Sequence, residues 1–327
     1  MTSKNIPRRR IALLSAAVLA LAFAAPSAWA QAKITRLVVA FPPGGPVDFV
    51  ARTIGEQLGK ELGSQVIIEN RAGANGAIAA EYVARATPDG STLWLTSVGA
   101  VAINPPLYEK LPYDPVRDLA PVSLVANNVE LLVVGAGNPA NTGAEFIANA
   151  RLRKDGATMA SSGTGSVPHL AMELLADSTK APLVHVPYKG AAPAISAVLS
   201  GEVQMTMVDL LPVLPFAANG DLLVLAVAGK TRAPQLPDVP TTLELGLPNV
   251  QMETTYGLLA PKGIPAAVQT RLRDAAVAAI NSPDMKAQFL KQGAIAATST
   301  SAEYRSLMQA ESDKWRGVIA SAKIKLD

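Results

Sequence analysis

Residues 37–62, LVVAFPPGGPVDFVARTIGEQLGKEL, join an apolar strand to an amphipathic helix through a glycine turn. The first N–H groups of a helix lack intrahelical partners, and the macrodipole presents its positive end there. A junction of this kind is therefore an anion cradle, placed over Gly44 and Gly45. The helix puts Val47, Val50, Ala51, Ile54, Leu58 and Leu62 on one stripe and leaves Arg52, Glu56, Lys60 and Glu61 in water. Pro42 and Pro43 stiffen the turn, which suits a fixed grip on a ligand. A plain tight turn accounts for the same residues equally well.

Ahead of this unit, residues 1–30 predict an export signal. Lys4 and Arg8, Arg9 and Arg10 form a basic start, and Ile11 to Ala24 is an apolar run too short to span a membrane. Ala28-Trp29-Ala30 offers a small-x-small cleavage site, so the mature chain begins near Gln31 in the periplasm. Arg8-Arg9 leaves general and twin-arginine export both open. The full chain carries 29 basic and 26 acidic residues; removing four basic and no acidic ones leaves 25 against 26, a net charge of −1. No basic stripe then remains to neutralise phosphates, which excludes a nucleic-acid partner. With no cysteine in 327 residues, disulfides and thiol chemistry are excluded as well.

Beyond Leu62, short apolar strands alternate with alanine-rich helices, the pattern of an α/β chain. Strands are expected at 66–69, 93–96, 130–134, 158–161, 184–187, 203–208 and 222–228. Residues 104–121, NPPLYEKLPYDPVRDLAP, read as surface chain without regular structure. Helices start at Pro265 and Pro283, and Thr300 with Glu303 makes a capping box for the last. The apolar strands near 131–134 and 222–228 bracket a middle block and are taken as crossings between two lobes. Lobe 1 is then 31–128 plus 230–327, and lobe 2 is 129–229. Strand ends at 40–41, 95–97, 160–161 and 207–209 converge on the crevice between them, where open α/β sheets bind ligands.

The second candidate turn is Ser161-Ser162-Gly163-Thr164-Gly165-Ser166, hydroxyls and glycines ahead of a helix, as in a carboxylate or phosphate nest. It lacks the third glycine of a dinucleotide fingerprint and the lysine of a nucleotide P-loop. Asp48, in a first helical turn, is either a dipole partner or a counter-charge for a ligand amine. His169 is a ligand contact or a helix-start cap, and His185 a structural strand residue. Asp48 and Asp209 could face each other across the crevice, the one carboxylate pair the sequence suggests. No nucleophile or metal-ligand motif is present, so no cofactor and no metal are expected.

The segments RLVVAFPPGGPVD, VIIENRAGANG, ARATPDGSTL, NPPLYEKLPYDPVRDLAPVSLVA, SSGTGSVPHLAMELL, VHVPYKGAAPAISAVLSGEVQ, LPDVPTTLELGLP and GLLAPKGIP together resemble the Bug family. These are extracytoplasmic solute receptors of tripartite tricarboxylate transporters. The resemblance implies a two-lobed type II periplasmic-binding-protein fold, with the ligand cleft between lobes joined by crossing strands. It also implies closure over a small organic carboxylate, held largely by main-chain groups and water. Carried onto this chain, the grip falls to Pro43, Gly44, Gly45 and Asp48, then to Ser161, Gly163, Thr164, Gly165 and Ser166. Ser97, His169 and Asp209 complete the expected site. Ala72, Asn75, Val167, Pro168 and the run Met207-Val208-Asp209-Leu210 depart from the family's usual residues.

The expectation is a monomeric, non-enzymatic receptor that delivers its ligand to the membrane subunits of such a transporter. Two alternatives stand beside it: a receptor serving a sensor protein, and a periplasmic enzyme using Asp48, Asp209 and His169 for acid–base chemistry.

Overall fold

Residues 33–322 and 324 are described by the computed structural model; the export signal and its cleavage near Gln31 lie outside the described residues. The chain runs β1 (Ile34–Val39), α1 (Pro46–Leu62), β2 (Gln65–Asn70), a 3₁₀ turn (Ala74–Gly76), α2 (Ala77–Ala84) and β3 (Thr92–Ser97). A π-helical turn (Gly99–Ile103) runs into the short α3 (Asn104–Leu107), followed by β4 (Leu119–Gly135). Then come α4 (Gly143–Leu152), β5 (Ala157–Ser161), α5 (Val167–Thr179), β6 (Leu183–Pro187), α6 (Ala191–Leu199), β7 (Met205–Asp209), α7 (Leu210–Asn219) and β8 (Leu222–Val227). The chain closes with β9 (Glu253–Pro261), α8 (Ala266–Asn281), α9 (Pro283–Lys291), β10 (Ala294–Ala296) and α10 (Ser301–Ala322).

The strand order is β2-β1-β3-β9-β4-β7-β5-β6, with β8 and β10 also paired to β4. β4 is the shared member. Its first part pairs antiparallel with β9 and β10, and its second part with β7 and β8. Within each half the strands that carry ligand-facing turns are parallel, β1 with β2 and β3, and β5 with β6 and β7. Their C-terminal ends therefore point to one side, toward a common cleft.

At the waist, three chain segments lie side by side. Glu130 N–H donates to the Met252 carbonyl (3.2 Å), Ala228 N–H to the Glu130 carbonyl (2.8 Å), and Met252 N–H to the Ala228 carbonyl (2.7 Å). The sequence predicts neither the passage at Met252 nor β9, which follows it at Glu253. Short main-chain ladders of this kind can absorb a few changes in φ and ψ, which is what a hinge needs.

Burial follows the sequence stripes. Val47, Val50, Ala51, Ile54, Leu58 and Leu62 of α1 pack with Leu37, Val39, Leu93 and Leu95 of the sheet and with Leu272, Ala275 and Ala276 of α8. The Thr300–Glu303 capping box forms in both directions, Thr300 N–H to Glu303 Oε2 (2.8 Å) and Glu303 N–H to Thr300 Oγ1 (3.1 Å).

Residues 104–121 correct the expectation of an unstructured surface wrap. Asn104 and Tyr113 are buried there, and β4 already begins at Leu119. Asn104 Nδ2 donates to the Tyr113 hydroxyl (3.0 Å), which in turn donates to the Ala100 carbonyl. Polar side chains thus supply the hydrogen bonds that the proline-rich backbone cannot.

Candidate functional site

A cavity of about 100 Å³ lies where the strand ends of both halves of the sheet meet. Phe41, Pro42, Pro43, Gly45, Pro46 and Val47 line it from the β1–α1 junction, and Asn75 and Ser97 stand beside them. From the other half come Ser162, Ser166, Val167 and Pro168, then Lys189, Gly190, Ala191, Ala192 and Pro193. Glu130, Asp209, Thr254 and Tyr256 complete the lining.

Three helices of the lining start with proline in their first turn, and this sets the chemistry. α1 is capped by the Gly45 backbone and has Pro46 at its first position. α5 has Ser166 as N-cap and Pro168 second, and α6 follows Gly190 with Pro193 third. Proline has no N–H to offer, so the donors left without intrahelical partners are those of residues such as Val47, Val167, Ala191 and Ala192. All four residues line the cavity, which therefore gathers the positive ends of helices from both halves.

The glycines of the first turn are not themselves the open donors. Gly44 N–H donates to Asp48 Oδ2 (3.0 Å), and Gly45 N–H donates to the Pro42 carbonyl (3.4 Å). Asp48 is engaged further: Arg52 binds it with Nε to Oδ2 (2.9 Å) and Nη2 to Oδ1 (3.0 Å), and Asn70 Nδ2 reaches Oδ1 (2.9 Å). Burial would raise the Asp48 carboxyl, but the bonds from Arg52, Gly44 and Asn70 outweigh it and hold it below the usual carboxylate range. Asp48 braces the turn from behind and is absent from the cavity lining.

The second turn is braced in the same way. Ser161 Oγ accepts from Gly163 N–H (3.1 Å) and pairs with His185 Nε2 (2.6 Å). Gly165 N–H donates to His169 Nδ1 (3.1 Å), so that nitrogen carries no proton, and His169 stacks on His185 with ring centroids 3.9 Å apart. Burial lowers both imidazoles to about 4, with His185 adding its charge repulsion to the effect on His169; both rings are neutral near pH 7. Ser161, Gly163, Gly165 and His169 are thus bonded within the turn and Thr164 is absent from the cavity lining, while Ser162 and Ser166 reach the cavity. Of the residues expected from sequence, Pro43, Gly45, Ser97, Ser166 and Asp209 line it directly. Of the three residues considered for acid–base work, Asp209 lines the cavity and Asp48 and His169 do not.

Asp209 has an acidic neighbour that the sequence did not single out. Glu130 faces it in the β4–β7 register. Thr254 Oγ1 donates to Glu130 Oε1 (2.7 Å), and the Tyr256 hydroxyl donates to Asp209 Oδ1. Burial pushes both carboxyls up, Asp209 to about 6 and Glu130 well above its ordinary value, where the Asp209 charge raises it further. Asn75 closes the other side of the cavity. Its Nδ2 donates to the Gly165 carbonyl (2.8 Å) and to Asn104 Oδ1 (2.8 Å), joining the two halves of the molecule.

Two half-sheets on a narrow hinge, with helix N-termini from both facing one cavity, define a two-lobed periplasmic binding protein. The family model described as the tripartite tricarboxylate transporter family receptor matches residues 50–324. The chain belongs to this receptor family. A protein from the tcbD-tcbE intergenic region of Pseudomonas sp. strain P51 is 35% identical over 98% of this chain and 96% of its own. BugT of Bordetella pertussis is 32% identical over 90% of this chain and 91% of its own. Among solved structures, Rpa4515 of R. palustris with adipate superposes with a TM-score of 0.87 at 32% identity, over 91% of this chain and 99% of that one. MatC of Rhodopseudomonas palustris with bound malate gives 0.82 at 32% identity, over 88% and 98%. The periplasmic binding protein BugD gives 0.85 at 28% identity, over 89% and 98%.

Proposed function

We propose that the protein captures a small organic carboxylate in the cleft, closes over it and hands it unchanged to the membrane subunits of a tripartite tricarboxylate transporter. The observation that carries this reading is the gathering of helix N-termini from both halves, Val47 from one and Val167 and Ala191 from the other, on one cavity. An anion there touches both lobes, so binding favours the closed state by its differential contacts. The malate and adipate held by two relatives are carboxylates of suitable size and support the reading.

In this reading Pro43, Gly45, Ser97, Ser166 and Asp209 contact the ligand or its waters, and Gly44, Asp48, Ser161, Gly163, Thr164, Gly165 and His169 hold the turns in shape. Lobe 1 is 31–128 plus 251–327 and lobe 2 is 129–250, which moves the second boundary from the expected 229/230 to the Met252 passage, because Ala233, Leu236 and Val239 pack with Leu131, Val133 and Val208. The Val227–Thr241 bridge and the contact of Leu245 with Gly143 favour that assignment. The mature protein begins near Gln31 and works in the periplasm as a monomer. Among the described residues no helix is long and apolar enough to cross a membrane.

A thermal-shift screen with small dicarboxylates, followed by mass spectrometry of the same mixtures, tests the proposal. Ligand at about 100-fold above its Kd adds roughly 2.7 kcal/mol to stability. A raised Tm with every compound recovered intact is the expected result; turnover of a stabilising compound overturns the receptor reading in favour of an enzyme.

A further inference from the structure

We propose that Glu130 and Asp209 form a cation subsite at the hinge end of the cleft, so that the ligand is a carboxylate also carrying a protonated nitrogen. The inference rests on the carboxylate reading above and narrows it to amino carboxylates.

Glu130 is 1% exposed and lines the cavity. Thr254 satisfies its Oε1, but Oε2 is buried without a hydrogen-bond partner. Asp209, 9% exposed, stands opposite and accepts from Tyr256 at Oδ1 and from the Asn128 side chain. Among the described residues neither carboxylate has a Lys, Arg or His within ion-pair distance. Two buried acids without a cation are costly, several kcal/mol for each ionised group, and a buried oxygen without a donor adds to that. An apolar or amide side chain at 130 would be cheaper. The arrangement makes physical sense when the missing donor and the missing positive charge arrive together with the ligand.

The two parts of the cleft then have opposite character. Helix N-termini favour an anion, whereas the hinge presents an unpartnered acceptor that an ammonium group can fill, donating to Glu130 Oε2 beside the Asp209 charge. A plain diacid would have to find the pair fully protonated. With Asp209 at about 6, the pair carries charge at neutral pH and repels a second ligand carboxylate. The other titratable groups facing the cleft are the Tyr256 hydroxyl from β9 and Lys189 ahead of α6; Glu253 on β9 is exposed. β8 and α7, packed against the pair's strands, carry no titratable side chain. Asp48 is excluded as the amine's partner because Arg52 already neutralises it.

The test is calorimetry on the purified mature protein with matched compounds: succinate against aspartate, glutarate against glutamate, butyrate against γ-aminobutyrate, and propylamine alone. The amino member of at least one pair should bind about tenfold or more tightly than its plain partner, the weight of one charge-assisted hydrogen bond, and should release protons. Glu130→Gln, checked for folding by its own melting curve, should weaken the amino compound and tighten the plain acid; Asp209→Asn should shift the ratio the same way. Plain acids that bind as tightly as their amino partners, or a preference that survives in Glu130→Gln, overturn the proposal. Binding of propylamine with no response to any acid keeps the cation subsite and removes the carboxylate reading. Silence from every compound removes both.

Discussion

Glu130 and Asp209 lie opposite each other in the β4–β7 register, both buried, with Thr254 and Tyr256 each donating to one of them. Burial raises both carboxyls, Asp209 from 3.8 to about 6. A folded-state pKa above the unfolded value gives stability that is complete below the unfolded pKa and lost as pH rises through the folded one. For Asp209 that window runs from about 4 to about 6 and is worth up to about 3 kcal/mol. Glu130→Gln removes a carboxyl that burial and the Asp209 charge hold well above its ordinary value, so melting curves should show the variant gaining on the parent protein as pH rises above about 4.5. His169 and His185, lowered to about 4, work in the opposite sense, losing stability as pH falls from about 6.5 toward 4. They are common to both proteins and cancel in the difference. An equal pH dependence for the two proteins would show that the Glu130 carboxyl is not raised in the folded protein.

Asn75 ties the halves of the molecule together through the Gly165 carbonyl, and Asn104 Nδ2 holds the Asn75 carbonyl in return (3.0 Å). The residue is left-handed (φ 47°, ψ 42°), a conformation glycine adopts without strain. Asn75→Gly thus deletes the amide and keeps the backbone. Losing one such bond should reduce ligand affinity about threefold to tenfold, and small-angle scattering should show a more extended unliganded protein. Unchanged affinity and unchanged scattering would mean that the bond does not influence closure.

Asp48→Ala removes the acceptor shared by Gly44, Asn70 and Arg52. The Arg52 side chain is 56% exposed, so its ion pair contributes little in water. The buried bonds from Gly44 and Asn70 matter more, and the variant should lose about 1–3 kcal/mol of stability in chemical unfolding. Amino and plain carboxylates should lose affinity in the same proportion, because the damage is to the turn. A loss confined to amino compounds would instead make Asp48 the amine's partner.

The β1–α1 unit was legible because its whole argument is local: an apolar run, a glycine turn and a stripe at helical spacing. The hinge was not. Leu119–Gly135 reads as a proline-rich tail followed by a short strand, and only its pairing with β9 on one side and β7 on the other makes it a single strand. β9 itself, ETTYGLLAP, shows little alternation because it is buried on both faces over most of its length. α7 was hidden by Pro212, harmless in a first turn, and by Pro215 within the helix. Glu130 passed unnoticed because nothing nearby in sequence marks it; its meaning lies in Asp209, Thr254 and Tyr256, brought close only by the fold. Asp48 was recognised as chemically eligible, yet its role turned on Asn70, a residue of another strand.

The central claim is that helix N-termini of both lobes grip one small carboxylate without changing it. A crystal structure of the protein with the tightest carboxylate from the screen tests this most directly. The account predicts the intact molecule in the cleft, its carboxylate within hydrogen-bonding reach, directly or through one water, of main-chain N–H groups at the starts of α1 and of α5 or α6. Density for the compound outside the cleft, contact with one lobe alone, or a chemically altered molecule would contradict it.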